Sequence, residues 1–349
     1  MSASRNQSKF YVRPLFDQKN LKPIRLGCSS LLFSSIELIE RRRKKIKKKN
    51  IQIKEIDTLP NNIKKIVNEK LRVIKKIRPP IYKINFKTPT IMGILNVTPD
   101  SFFDGGKYFT EELAFTKFNQ MVDDGASIID IGGESTRPGA KAISINEELN
   151  RIVPILKKIG SNKKKTLISL DTRKPEVMSK GIKLGVNFIN DVSGLRYSKK
   201  TLALIKKQRI PFILMHSISN PKNMQKNIKY DDVLLDVYDF FEEQIDKCKK
   251  ASIDPKNIII DPGIGFGKTL KQNLKLISNI SLFHSLGFPI LLGASRKSFI
   301  GKLSKNALNN DRLGGSIATV LFALSQGVQI FRVHDVHETV QAIKTFSKI

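Results

Sequence analysis

The chain of 349 residues has no tryptophan, only two cysteines, and half as many acidic as basic side chains, 31 against 62. Cys28 and Cys248 lie far apart, with no second Cys or His beside either at metal-ligand spacing. That excludes a disulfide framework and a structural zinc site, and both read as inert thiols. No apolar run approaches the roughly 20 residues a bilayer-spanning helix requires, so no membrane span is expected. The start, MSASRNQSKFYVRPLFDQKN, lacks the apolar stretch and small-residue cleavage site of a secretory leader, which predicts a cytoplasmic protein. The glycine fingerprint that follows the first strand of a dinucleotide-binding sheet is also missing. The formal charge of +31 would by itself favour a polyanion. Lysine, isoleucine and asparagine are abundant along the whole chain, however, which reads as a compositional bias with a solvated surface. No nucleic-acid partner is expected, and the surplus charge steers small anionic substrates instead.

Residues 1–87 differ from the rest. They contain the basic run RRRKKIKKK at 41–49 and a Pro-flanked hinge around IRPP at 77–80. Within them SSLLFSSIELIERRRKKIKK and LPNNIKKIVNEKLRVIKKI both carry apolar residues at helical spacing, which predicts two amphipathic helices. Leu31, Leu32, Ile36 and Ile39 before the basic run, and Ile63, Ile66, Val67 and Leu71 after it, suit a helical annex packed on the following domain better than a free basic tail.

From Thr90 onward, short β-branched runs alternate with longer segments of helical period, the pattern of repeated βα units. Strands are expected at 91–97, 127–133, 167–172, 188–194, 211–216, 257–263, 289–294 and 329–335. Eight such units over residues 88–349 predict an α/β fold, a (β/α)8 TIM barrel with an N-terminal, partly helical extension. Asn96, Asp130, Asp171, Asn190, His216, Asp261, Ser295 and His334 all fall at or just past the C-terminal ends of these strands. One such residue would ordinarily be a cap or turn former. Eight on one rim mark the face where this barrel builds active sites.

The segments at these strand ends are GILNVTPDSFFDGG, ESTRPGA, SLDTRK, NDVSG, DPGIGFGK, SRKSFIG and RVHDV. In this order they resemble the motifs of the dihydropteroate synthases, a pterin-binding TIM-barrel family, throughout residues 90–339. The residue chemistry agrees: a pterin edge presents adjacent N–H donors, which a buried carboxylate and an amide can receive together. The resemblance implies that Asp261 grips N3 and the 2-amino group, Asn190 the neighbouring edge, and Asp171 the far side of the ring, with Lys297 donating to the pterin oxygen and N5. Met215 offers a thioether to the flat ring, or is simply a core methionine. Gly293, at the end of the seventh strand, joins the pterin group in this reading.

The family resemblance further implies that Arg332 and His334, which alternate along the last strand, bind the pyrophosphate together with Asn96, and that Asn96 coordinates Mg²⁺. Two loops rich in Gly, Pro and Ser would close over the substrates, with Phe102, Thr136, Arg137, Pro138, Phe266, Lys297 and Ser298 around p-aminobenzoate. Phe103 departs from the usual Ser of the family motif. The expected chemistry is an SN1-like loss of pyrophosphate, with Asp171, Lys297, Arg332 and His334 as the catalytic groups, followed by attack of the p-aminobenzoate amine. The glycines of DPGIGFGK lack the full nucleotide-binding P-loop pattern. Two alternatives stand beside this reading: a pterin-binding methyltransferase, which would not need the pyrophosphate pair, and a catalytically idle relative whose basic extension binds nucleic acid. The expected partners are small-molecule substrates and a second copy of the chain.

Overall fold

A computed structural model describes residues 8–16, 23–27, 29–98, 111–137, 139–161, 166–218 and 228–349. The extension forms strands β1 (Lys9–Leu15), β2 (Ile24–Arg25), β3 (Leu32–Phe33), β4 (Ser35–Arg42) and β5 (Lys45–Gln52), then helix α1 (Asn61–Lys75). The barrel strands follow: β6 (Thr90–Asn96), β7 (Ile128–Gly132), β8 (Leu167–Asp171), β9 (Phe188–Asp191), β10 (Phe212–Met215), β11 (Ile258–Asp261), β12 (Leu291–Leu292) and β13 (Ile330–Val333). Neighbours pair in parallel, β13 returns to β6, and a parallel bridge between Ile260 and Ile290 joins β11 to β12, closing the circle. The connecting helices are α2 (Glu111–Asp123), α3 (Ile145–Gly160), α4 (Pro175–Lys183), α5 (Lys199–Gln208), α6 (Val233–Lys250), α7 (Leu270–Ser278), the pair α8 (Ser298–Leu303) and α9 (Leu313–Ser325), and α10 (Val336–Phe346). This is the (β/α)8 barrel expected from the eight runs.

The inside of the barrel follows from the two-residue period of a strand. Ile128, Leu167, Phe188, Ile213, Ile259, Leu291 and Ile330 pack together near the strand starts. Two residues further along, or four for Leu167, the same inward parity gives Asp130, Asp171, Asn190, Met215, Asp261, Gly293 and Arg332. An apolar lower layer therefore supports a polar upper one. Ile81, Ile84 and Phe86, from the segment before β6, join the lower layer and plug it from below. The packing of the barrel begins upstream of residue 88.

The extension departs from one sequence expectation. The segment predicted as its first helix, 29–48, is extended: β4 lies between β1 and β5 in a three-stranded antiparallel sheet. The physical reason is burial on both faces. Ile36 and Leu38 pack with α1, whereas Ile39 and Tyr11 join the barrel's outer core. A strand with two apolar faces shows no polar alternation, and its Leu and Ile then mimic helical spacing. The basic run is the hairpin joining β4 to β5, with Arg43 at φ 54° in the left-handed region. The second expected helix, at 59–77, forms as α1.

The sheet and α1 sit against α6 and the 3-10 segment Ile280–Leu286. The Tyr11 hydroxyl donates to Asp239 Oδ1 at 2.9 Å, Arg41 Nη1 to Asp236 at 2.6 Å, and Lys70 Nζ to Glu242 at 3.0 Å. Cys248 is buried on α6, and that burial pushes its thiol up to about 11; Cys28 lies outside the described residues. Among the described residues no helix is long and apolar enough to cross a membrane.

Candidate active site

The upper layer of the barrel is organised around one arginine. Arg332 on β13 donates through Nε to Asp130 Oδ2 at 2.6 Å and through Nη2 to Asp171 Oδ2 at 2.8 Å. Asp130 Oδ2 also receives Asn190 Nδ2 at 2.9 Å. The chain thus brings Asp130, Asp171, Asn190 and Arg332 from four strands into one contact network. Their remaining oxygens, Asp130 Oδ1, Asp171 Oδ1 and Asn190 Oδ1, are buried without a hydrogen-bond partner. An unsatisfied buried acceptor costs about 1–3 kcal/mol, so three together mark a place built to receive donors. Burial, reinforced by Asp130 and opposed by Arg332, pushes the Asp171 carboxyl up to about 8.

Asp261, at the end of β11, takes the Gly263 N–H at 2.8 Å through Oδ1. Burial raises its carboxyl, with Lys297 opposing. The turn beyond it requires glycine: Gly263 has φ +68°, and a Cβ there would meet the His216 carbonyl at 2.0 Å. Gly293 leaves room between Asp261 and Arg332, since a Cβ would lie 3.8 Å from both Asp261 Oδ2 and Arg332 Cβ. Met215 is buried at the end of β10 beneath this turn. Lys297 caps the start of α8, donates to the Ile264 carbonyl, and lies 4.6 Å from the Phe266 ring centroid. Burial lowers its ammonium to about 8, with Asp261 opposing.

His334 lies just past β13, its Nδ1 3.1 Å from the Ser295 hydroxyl. Burial and the nearby Arg332 push the imidazole down to about 3, so the ring is neutral at physiological pH. Asn96 ends β6, half-buried; it and Asp171 flank Gly132, where a Cβ would sit 3.6 Å from Asn96 Oδ1 and 3.4 Å from Asp171 Cβ. Thr136 is half-buried and Arg137 exposed on the loop after β7, and Ser298 is exposed at the first turn of α8. Phe102, Phe103 and Pro138 lie outside the described residues.

Three features escaped the sequence reading. Asp130 has no expected role from its strand end alone; its inward parity with Ile128 is the signal that places it in the network. Lys268, the last residue of DPGIGFGK, is buried and donates to the carbonyls of Gly263 at 2.8 Å and Phe266 at 2.9 Å, bracing the turn that carries both. Arg332 holds two carboxylates, Asp130 and Asp171, and neither partner is readable without the barrel's closure.

The family described as pterin binding enzyme matches residues 92–334, well over half of the chain. The dihydropteroate synthase of Escherichia coli (strain K12) is 45% identical over 261 residues, covering 75% of this chain and 92% of that protein. A solved structure of the Xanthomonas albilineans dihydropteroate synthase with 4-aminobenzoic acid is similar at TM-score 0.71 and 40% identity, covering 75% of this chain and 93% of the other. The same enzyme in complex with 7,8-dihydropteroate aligns at TM-score 0.70 and 36% identity, covering 78% and 98%. With a barrel rim that matches the motifs and relatives this similar over nearly their whole length, the chain belongs to the pterin-binding enzymes, and among them to the dihydropteroate synthases.

Proposed function

We infer that the chain joins p-aminobenzoate to 6-hydroxymethyl-7,8-dihydropterin pyrophosphate, releasing pyrophosphate and giving 7,8-dihydropteroate, a step of folate biosynthesis. The observation that carries the site reading is the convergence of buried, unpartnered oxygens from Asp130, Asp171 and Asn190 beside the Asp261 carboxylate. A flat heterocycle with adjacent N–H donors satisfies them together. Asp261 and Asn190 then take the guanidine-like edge, Asp171 faces the other side of the ring, Lys297 donates to the ring oxygen and N5, and Met215 and Gly293 form the apolar floor.

The bond between the methylene carbon and the pyrophosphate oxygen breaks first, and its electron pair leaves with pyrophosphate. Asp171 and Asp261, fixed before the reaction, aim acceptor oxygens at the positive charge that spreads into the pterin, a preorganised stabilisation that does not require both to be ionised. The p-aminobenzoate amine then forms the new C–N bond and gives up a proton. Arg332 and His334 face the leaving group: Arg332 acts by its charge while its Nε and Nη2 hold the carboxylates, and neutral His334 offers a ring nitrogen. Thr136, Arg137, Phe266, Lys297 and Ser298 border p-aminobenzoate.

Among the described residues no group of three or more His, Cys, Asp or Glu could hold a metal, so these residues offer no closed cage. The Asn96 amide oxygen is a hard donor that fits a Mg²⁺ ion taking its other ligands from pyrophosphate and water. Asn96 would hold it, and the ion when bound would neutralise charge on the leaving group. A homodimer is favoured by α9, which has no charged residue and exposes Phe322. The test is an assay with both substrates and Mg²⁺ that follows 7,8-dihydropteroate; well-folded protein without turnover refutes the assignment.

A further inference from the structure

Beneath the loop that follows β7 lies a buried ion cluster that the reaction as derived above does not use. Glu134, the first residue of ESTRPGA, is 8% exposed. Its Oε1 accepts the backbone N–H of Ile143 at 3.1 Å, so one carboxylate oxygen fastens the exit of the loop to its entry. Arg173 grips the same carboxylate through both arms of its guanidinium, Nε to Oε2 at 3.1 Å and Nη2 to Oε1 at 3.2 Å. Lys174 adds a contact to Oε1 at 3.2 Å and reaches Glu148 of α3 at 2.5 Å. The Arg173 guanidinium in turn lies 5.0 Å from the centroid of the Tyr197 ring, which comes from the segment after β9. Burial acts to raise the Glu134 carboxyl, but the Ile143 N–H, Arg173 and Lys174 hold it below the ordinary range.

Arg173 and Lys174 follow Asp171 by two and three residues, so the strand end that presents Asp171 to the pterin also carries the cations that hold the loop. Four buried charges are a poor choice for stability alone, since well-packed apolar residues would do as well or better. Directional, bidentate contacts fix geometry instead. We propose that Glu134 and Arg173 are a positioning pair that sets the loop 135–143 against the end of β8, so that its residues meet p-aminobenzoate in register with the bound pterin. Neither side chain touches substrate; both act through the loop. The inference rests on the reading above that Thr136 and Arg137 border p-aminobenzoate.

The experiment compares Glu134→Gln, Arg173→Lys, Tyr197→Leu and Thr136→Ala in steady-state kinetics against each substrate, with pterin affinity measured separately by calorimetry. Glu134→Gln keeps the shape and an oxygen for the Ile143 N–H but removes the charge that orients Arg173. It is expected to raise the KM for p-aminobenzoate by about tenfold, the scale of one charge-assisted hydrogen bond, while pterin affinity stays within about threefold. Arg173→Lys, which keeps the charge without the fork, falls between that variant and the unaltered protein. Tyr197 is 45% exposed, so its replacement leaves the fold intact and supplies the test if the buried variants do not fold; a rise of a few-fold in the same KM alone supports the pair. Equal losses for both substrates in Glu134→Gln, or an unchanged p-aminobenzoate KM there and in Tyr197→Leu while Thr136→Ala raises it, overturn the positioning role and leave the loop reading standing. An unchanged KM in Thr136→Ala as well removes the loop reading, and the proposal with it.

Discussion

Replacing Asp130 by Asn alters a single atom at the centre of the upper layer. Asp130 is fully buried, and both of its hydrogen bonds, from Arg332 Nε at 2.6 Å and Asn190 Nδ2 at 2.9 Å, end on Oδ2. An asparagine can keep its oxygen there and retain both contacts. Its amide nitrogen must then occupy the place of Oδ1, which has no partner. Two consequences separate. For stability, the Arg332 contact changes from an ion pair to a hydrogen bond on a neutral amide, a loss of about 1–3 kcal/mol. At about 2 °C per kcal/mol for a chain this long, the melting temperature should drop by about 2–6 °C. For binding, an N–H donor now faces the donors of the pterin edge, and affinity should fall by at least about tenfold.

The substitution also removes one of the charges that raise Asp171. A carboxyl whose folded value lies above its usual 3.8 favours the fold while protonated. That contribution is complete below about pH 4 and is lost as pH climbs through about 8. Asp130→Asn should therefore flatten the fall in stability across this window. Thermal unfolding between pH 4 and 9, with calorimetry of a pterin, reads all three effects; an unchanged melting temperature together with unchanged pterin affinity would show that Asp130 neither holds Arg332 nor faces the ring.

Asp261→Asn places a donor where the pterin's N–H groups arrive, and pterin affinity should weaken by about tenfold or more in calorimetry. Arg332→Ala and His334→Ala should reduce turnover and pyrophosphate binding more than binding of a pterin without phosphate, a contrast visible in competition titrations. Gly263→Ala would drive a methyl to 2.0 Å from the His216 carbonyl at φ +68°, so it should cost several kcal/mol in denaturant unfolding and disable pterin binding. A chain starting at residue 88 loses Ile81, Ile84 and Phe86 from the lower layer as well as the sheet over α6, and its melting temperature should fall steeply; the full-length protein should bind neither duplex DNA nor anionic vesicles near physiological salt.

The barrel was legible because each strand is short, β-branched and flanked by turn residues, and because polar residues recur at one end of every run. The polar upper layer was legible for the same reason: Ile259 and Asp261, or Phe188 and Asn190, are two residues apart on one inward face. Contacts between distant strands were not legible. The Arg332 link to Asp130 spans 202 residues and depends on the closure of the sheet, which no local pattern encodes. The helix expected at 29–48 failed for a related reason, since β4 is covered by α1 on one side and the barrel on the other, and periodicity reports a face only when the opposite face is wet.

The grip of the extension on α6 also bears on how the chain is made. Tyr11 meets Asp239, which is synthesised 228 residues later. At about 5–20 residues per second, the first strand waits about 10–50 s for its partner. During that interval Tyr11 and Ile39 present a naked apolar face beside the growing chain. The cations of the β4–β5 hairpin lie next to that face, where like-charge repulsion between nascent copies on a polysome opposes their sticking together. The docking of the extension is therefore a late event, completed only when residues beyond 286 have carried the 3-10 segment Ile280–Leu286 clear of the ribosome to receive it.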